Sequence, residues 1–159
     1  MKQFFKDAKG HLMTGIGYML PLIIGASLVV AIPKLIALCF GITSLDPYAD
    51  GTGVWHIMKL IENVGWTGIG MVNTVLAGFI AYSIADKPAI GAGFIGGAVA
   101  SSTYAGFLGA VIAAFIAGYT VKWAKKYIHL PESMGSVMPL VVCPLIATGF
   151  VAIIMGVIL

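Results

Sequence analysis

Asp86, Lys87 and Pro88 stand together in a stretch that is otherwise apolar, and Gly91, Gly93, Gly96 and Gly97 follow at once. A carboxylate beside an ammonium group has two uses in such surroundings. The pair can mark the end of a helix at a polar boundary, where the lysine stem reaches outward. It can also enter a polar cavity and hold a solute, because charges close to an apolar phase are often functional. Asn73, next to Thr74, offers an amide. That amide suits either a bound polar solute or a hydrogen bond between helices. Asn73, Asp86 and Lys87 are therefore the candidate substrate-binding residues. Other reactive types are scattered. His11, His56 and His129 are isolated, and Glu62 and Glu132 fall singly in loop segments. Cys39 and Cys143 have no CxxC partner and no nearby His or Asp, so they read as small buried hydrophobes rather than as a metal site or a disulfide. No nucleophile–base set, phosphate loop or carboxylate pair is visible. No catalytic residue, metal or cofactor is expected.

The elements that must position these residues belong to a membrane. The chain of 159 residues is 60% hydrophobic and 9% charged. Soluble domains carry about 25% charged residues, and a chain this small cannot hide so much apolar surface from water. Its mean hydropathy is +1.03. The apolar runs are long and lack strand alternation, which disfavours a barrel and points to an all-α polytopic transmembrane protein. The net charge of +3 comes without a basic, aromatic-studded soluble face, so nucleic acid is not a partner.

About five membrane segments are expected. Residues 1–17 pattern as an interfacial helix with Lys2, Lys6 and Lys9 on its polar side. The apolar run from Leu12 to Phe40 would make a helix about 44 Å long, more than the bilayer core of about 30 Å. Pro21 and Pro33 are expected to break or kink it, which leaves a span over 18–40. Residues 41–65 form the most polar loop, with turn signals at Asp46-Pro47 and Asp50-Gly51 and a short amphipathic helix in "VWHIMKLIENV". Further spans are expected over 66–85, 88–104, 105–121 and 137–159. The pair 88–104 and 105–121 is short and Gly-rich, and either spans or re-enters. With the N-terminus cytoplasmic, seven of the nine lysines (Lys2, Lys6, Lys9, Lys87, Lys122, Lys125 and Lys126) fall inside, as the positive-inside rule requires.

The glycines form part of a stripe. Ala89, Gly93, Gly97, Ser101 and Ala105 recur every four residues, and Gly106, Ala110, Ala114 and Gly118 repeat the pattern in the next segment. In lipid, such stripes allow close backbone approach. Glycine also permits unwound backbone where a solute binds. Helix packing is the expected role of Gly93, Gly97, Ser101, Gly106, Ala110, Ala114 and Gly118.

Three blocks carry a family resemblance. "HLMTGIGYMLPLIIGASLVVAI" resembles the first membrane helix of the fructose-family permeases, the enzyme IIC components, of the phosphoenolpyruvate-dependent sugar phosphotransferase system. "FIAYSIADKPAIGAGFIGGAVAS" resembles a second block, and "GFLGAVIAAFIAGYTVKWAKKYIHLPESM" followed by "MPLVVCPLIA" a third. The blocks fall in the family's order over nearly the whole chain. The resemblance implies a homodimeric permease of the bacterial inner membrane. It would take up a sugar and release it as the sugar phosphate. The phosphoryl group would come from a cysteine of enzyme IIB, charged through enzyme IIA, so neither Cys39 nor Cys143 is that cysteine. The chain would then be a membrane subunit of a sugar phosphotransferase with no catalytic residue of its own. Family members are longer, and their second half carries a Gly-Ile-x-Glu motif that "GITS" at Gly41–Ser44 does not match. The chain is accordingly expected to be the N-terminal portion of a single IIC membrane domain, in truncated form. A non-transporting membrane scaffold or remnant is the alternative.

Overall fold

The computed structural model of the chain describes residues 2–103, 105–127 and 142–158. His129, Glu132 and the start of the expected span at 137 lie outside these residues. Six α-helices follow one another: α1 (Lys2–Cys39), α2 (Val54–Gly70), α3 (Val72–Ala85), α4 (Lys87–Ser102), α5 (Gly106–Tyr127) and α6 (Cys143–Ile158). A 3-10 turn at Asp46–Tyr48 lies between α1 and α2. The described residues contain no strand. Three helical stretches, Phe5–Cys39, Val54–Ala85 and Gly106–Tyr127, are long and apolar enough to cross a membrane, and Cys143–Ile154 is a shorter apolar helix.

Several boundaries differ from the sequence expectation. The helix does not break near residue 18. It runs unbroken from Lys2, with Pro21 and Pro33 inside it. A proline removes one backbone donor and crowds the preceding turn, but the apolar medium penalises any fully opened turn far more. The amphipathic helix expected within the polar loop is the start of α2, which continues to Gly70. The span expected to end at 121 continues, so that Lys122, Lys125 and Lys126 occupy the last two turns of α5. Cationic side chains there complement the carbonyl end of the helix.

The chain divides into two compact units, Leu20–Val72 and the remainder, Met1–Met19 with Asn73–Leu159. In the larger unit the core is mostly alanine. Ala77, Ala81, Ala89, Ala92, Ala110, Ala113, Ala114 and Ala117 are all fully buried. Small side chains let the helix backbones come close, and dispersion then does what water expulsion does in soluble cores. A methyl group on Gly97 would lie 2.5 Å from the Asn73 carbonyl oxygen and 2.7 Å from the Thr74 Cα. One on Gly93 would lie 2.7 Å from the Ala77 carbonyl oxygen. Gly118 faces Ile84 at 2.8 Å by the same measure, so α5 also closes on α3. Ala110 and Ala114 are buried on that helix. Gly106 differs from these. A methyl there meets nothing within 4 Å, and its φ of +59° shows a residue that starts a helix from the left-handed region. On α3, Phe79 stacks on Tyr18 of α1 with ring centroids 4.0 Å apart and meets Phe94 of α4 edge-on.

In the smaller unit α1 and α2 approach just as closely. A methyl on Gly65 would lie 2.8 Å from the Ala26 carbonyl oxygen, and one on Gly68 would lie 2.9 Å from the Ala26 Cβ.

The sign of a glycine substitution should therefore depend on its face. Gly97→Ala should lower stability in detergent by about 2 kcal/mol, because the obstructing atoms are backbone. Gly91→Ala, with open space around it, should be neutral or raise stability by about 0.5 kcal/mol through helix propensity. Thermal unfolding of the two purified variants compares them directly.

Candidate functional site

The link between α3 and α4 is one residue, Asp86. Its backbone sits at φ +62°, ψ −160°, a conformation that is almost confined to glycine. It is the one non-glycine residue at positive φ among the described residues. The Asp86 amide donates to the Tyr82 carbonyl at 2.8 Å, and the Asp86 carbonyl accepts from Ala89 at 3.0 Å. The reversal is thus fully hydrogen-bonded on both sides. Pro88 enters in the first turn of α4, where its missing donor costs nothing. The Asp86 side chain caps no helix. It stays exposed, 3.8 Å from the Lys125 ammonium, which itself donates to the Ala85 carbonyl at 2.7 Å. Lys87 is exposed at the start of α4.

Asn73 lies at the other end of α3. Its Nδ2 donates to the Ser101 hydroxyl at 3.1 Å, joining the first turn of α3 to the last turn of α4. Thirteen residues of helix separate Asn73 from Asp86, about 20 Å. The structure does not bring the three candidate binding residues together. Asp86 and Lys87 share one end of the α3–α4 hairpin and Asn73 holds the other, too far apart for one monosaccharide.

The sequence missed a polar assembly in the smaller unit. Glu62, read as a loop residue, lies on α2 and is 3% exposed. Its Oε1 accepts from the Trp66 indole at 3.0 Å and pairs with Lys34 of α1 at 3.1 Å. Its Oε2 pairs with Lys59 at 3.2 Å. Lys59 also donates to Asp46, which accepts from the Ser44 hydroxyl at 2.9 Å. The Lys59 ammonium and the Ser44 hydroxyl hold the Asp46 carboxyl below the usual carboxylate range. What this pairing adds to stability is present at neutral pH and lost as pH falls through that lowered value. A cavity of about 130 Å³ lies against Lys34, Ser44, Asp46 and Glu62. The signal available in the sequence was spacing: Lys59, Glu62 and Trp66 recur at intervals that share one helix face. Every charge here has a partner, so the assembly braces α1 against α2.

The two described histidines, His11 and His56, are not isolated either. His56 bonds through Nδ1 to the Tyr48 carbonyl at 3.1 Å. His11 Nδ1 lies 2.7 Å from the Ser83 hydroxyl, tying α1 to α3. Cys143 is buried as expected of a small hydrophobe, whereas Cys39 is exposed at the end of α1.

Two substitutions test these assignments. Asp86→Gly should raise stability by about 1 kcal/mol, the strain relieved less the backbone entropy of glycine. Asp86→Ala, which keeps the strain, should not. Glu62→Gln should cost about 2 kcal/mol by leaving Lys59 short of a counter-charge, and Lys34→Gln less than about 1 kcal/mol because Lys34 is half exposed. Unfolding of each variant in the same detergent gives the ranking.

Neither a family model nor a solved structure matches the chain. Curated proteins do. The chain is 36% identical over 91% of its length to the "PTS system fructose-specific EIIABC component" of Bacillus subtilis, and covers 22% of that protein. It is 33% identical over 96% of its length to "Fructose-like permease IIC component 2" of Escherichia coli, covering 40% of it. It is 40% identical over 94% of its length to the "PTS system fructose-specific EIIB'BC component" of Xanthomonas campestris, covering 26% of it. The chain thus spans less than half the length of these relatives. Agreement over nine-tenths of the chain with several IIC components settles its kinship: the chain belongs to the fructose family of phosphotransferase-system permease (IIC) components.

Proposed function

We propose that this chain is a membrane-embedded, sugar-translocating part of a phosphotransferase system, in which uptake is coupled to phosphorylation by a partner IIB component. The observation that carries this reading is the match to IIC components along nearly the whole chain. Two of those relatives are named as fusions of IIC with IIB, one of them with IIA as well, and that favours the same two partners here. The lysine asymmetry supports a cytoplasmic N-terminus in a bacterial inner membrane, and the protein works as a homodimer.

Within this reading the polar residues on the α3–α4 hairpin act in sequence along a path. Asn73 exchanges its bond to Ser101 for a sugar hydroxyl at one end, since an amide both donates and accepts. At the other end Asp86 accepts from sugar hydroxyls and Lys87 donates to them. The small-residue faces of Gly93, Gly97 and Gly118 serve as packing surfaces that keep α3, α4 and α5 close while those polar ends exchange partners.

The test is complementation. The 159-residue chain is joined to the remaining length of the Escherichia coli relative and placed in vesicles with the soluble phosphotransferase proteins. Phosphoenolpyruvate-dependent phosphorylation of fructose should exceed that of the remainder alone, and Asp86→Ala should reduce it by about tenfold. Activity with the relative's own N-terminal portion, but none with this chain, would overturn the reading.

A further inference from the structure

A second polar site lies in the larger unit, at the same end of α3 as Asp86. It is a cleft of about 550 Å³ whose lining includes Lys6, Asp7, His11, Ser83, Tyr119 and Lys122. Three helices contribute: α1 gives Lys6, Asp7 and His11, α3 gives Ser83, and α5 gives Tyr119 and Lys122. We propose that this cleft binds a phosphate ester that also carries free hydroxyl groups.

The charges differ in kind from those around Glu62. There every charge is paired. Here Lys6, Asp7 and Lys122 take part in no ion pair among the described residues. Two ammonium groups from different helices therefore face one cleft without a counter-charge of their own, and ammonium groups bind phosphate oxygens as point charges. A carboxylate ligand offers two oxygens, whereas a phosphate ester offers three to ammonium groups arriving from α1 and α5.

Hydroxyl groups add to the lining. Thr14, which also lines the cleft, donates to the Gly10 carbonyl at 3.1 Å. His11 Nδ1 lies 2.7 Å from the Ser83 hydroxyl, so that contact occupies one ring nitrogen. The remaining ring nitrogen, Nε2, is left for another partner. An imidazole nitrogen is a hydrogen-bonding partner for phosphate oxygens and for hydroxyl groups.

Asp7 decides what else the ligand carries. It would repel a bare phosphate, yet it accepts hydrogen bonds from hydroxyl groups. The cleft is also far larger than one phosphate needs. Two sources have this chemistry, a soluble hexose phosphate and a glycerol-phosphate lipid headgroup. The soluble source rests on the proposed function and would be the phosphorylated sugar; the lipid source does not.

The experiment uses the full chain in maltoside detergent, which contains no phosphate. Its unfolding temperature is followed with fructose 1-phosphate, fructose, inorganic phosphate and phosphatidylglycerol. Fructose 1-phosphate or phosphatidylglycerol should stabilise the protein, each more than inorganic phosphate does, and fructose should not. Stabilisation by fructose 1-phosphate alone assigns the soluble source, and by phosphatidylglycerol alone the lipid source. Lys6→Gln and Lys122→Gln should each weaken binding about tenfold, Lys126→Gln should leave it unchanged, and Asp7→Asn should shift preference toward inorganic phosphate. A measurement without variants covers the case in which these do not fold: the ligand should protect Lys6 and Lys122, and not Lys126, from acetylation. No response to any phosphate probe, or a response that leaves Lys6 and Lys122 unprotected, would overturn the proposal. That result with complementation intact removes the cleft and leaves the permease reading standing.

Discussion

Backbone-to-backbone approach between α3 and α4 is the constraint on which the larger unit depends. Gly97 meets the Asn73 carbonyl and the Thr74 Cα, and Gly93 meets the Ala77 carbonyl, with no room for a side chain in either place. An apolar solvent gives helices no reason to expel their greasy faces toward one another, so contact area at short range must hold them. Once α3 and α4 are this close, other features follow. The alanines of α5 can reach them, Gly118 can sit on Ile84, and Asn73 comes within hydrogen-bond range of Ser101.

Polar groups in this fold divide by whether their needs are met inside it. Glu62 holds both lysines and an indole, and such an arrangement braces α1 on α2 because removing the carboxylate strands the groups it holds. The cleft near His11 has the opposite character. Its Lys6, Asp7 and Lys122 take part in no ion pair among the described residues. Charges of the first kind hold helices in place, and those of the second kind remain available to a solute.

Much of the fold was legible in the sequence because hydropathy and spacing report local facts. The helical class and the family both follow from residues read in order. The misreadings concern residues whose role depends on partners far along the chain. Glu62 looked like a solitary loop residue, since Lys34 lies on another helix. His11 looked isolated because Ser83 is 72 positions away. The prolines of α1 were read as breaks or kinks, and the break does not occur, because that rule is calibrated in water, where an opened turn is hydrated at little cost. Gly106 fitted the four-residue stripe by arithmetic, yet its backbone angle accounts for it better than any neighbour does.

The single-residue elbow at Asp86 has a consequence for how the chain can vary. It fixes which residue of α4 faces which residue of α3, so that Gly93 and Gly97 fall opposite the backbone of Ala77 and Asn73. One residue inserted or deleted there would turn α4 by about 100° relative to α3. A deletion would put Phe94 where Gly93 meets the Ala77 carbonyl, and an insertion would put Ala92 there. The length of the elbow therefore selects which face of α4 lies against α3, independently of the chemistry of its side chain.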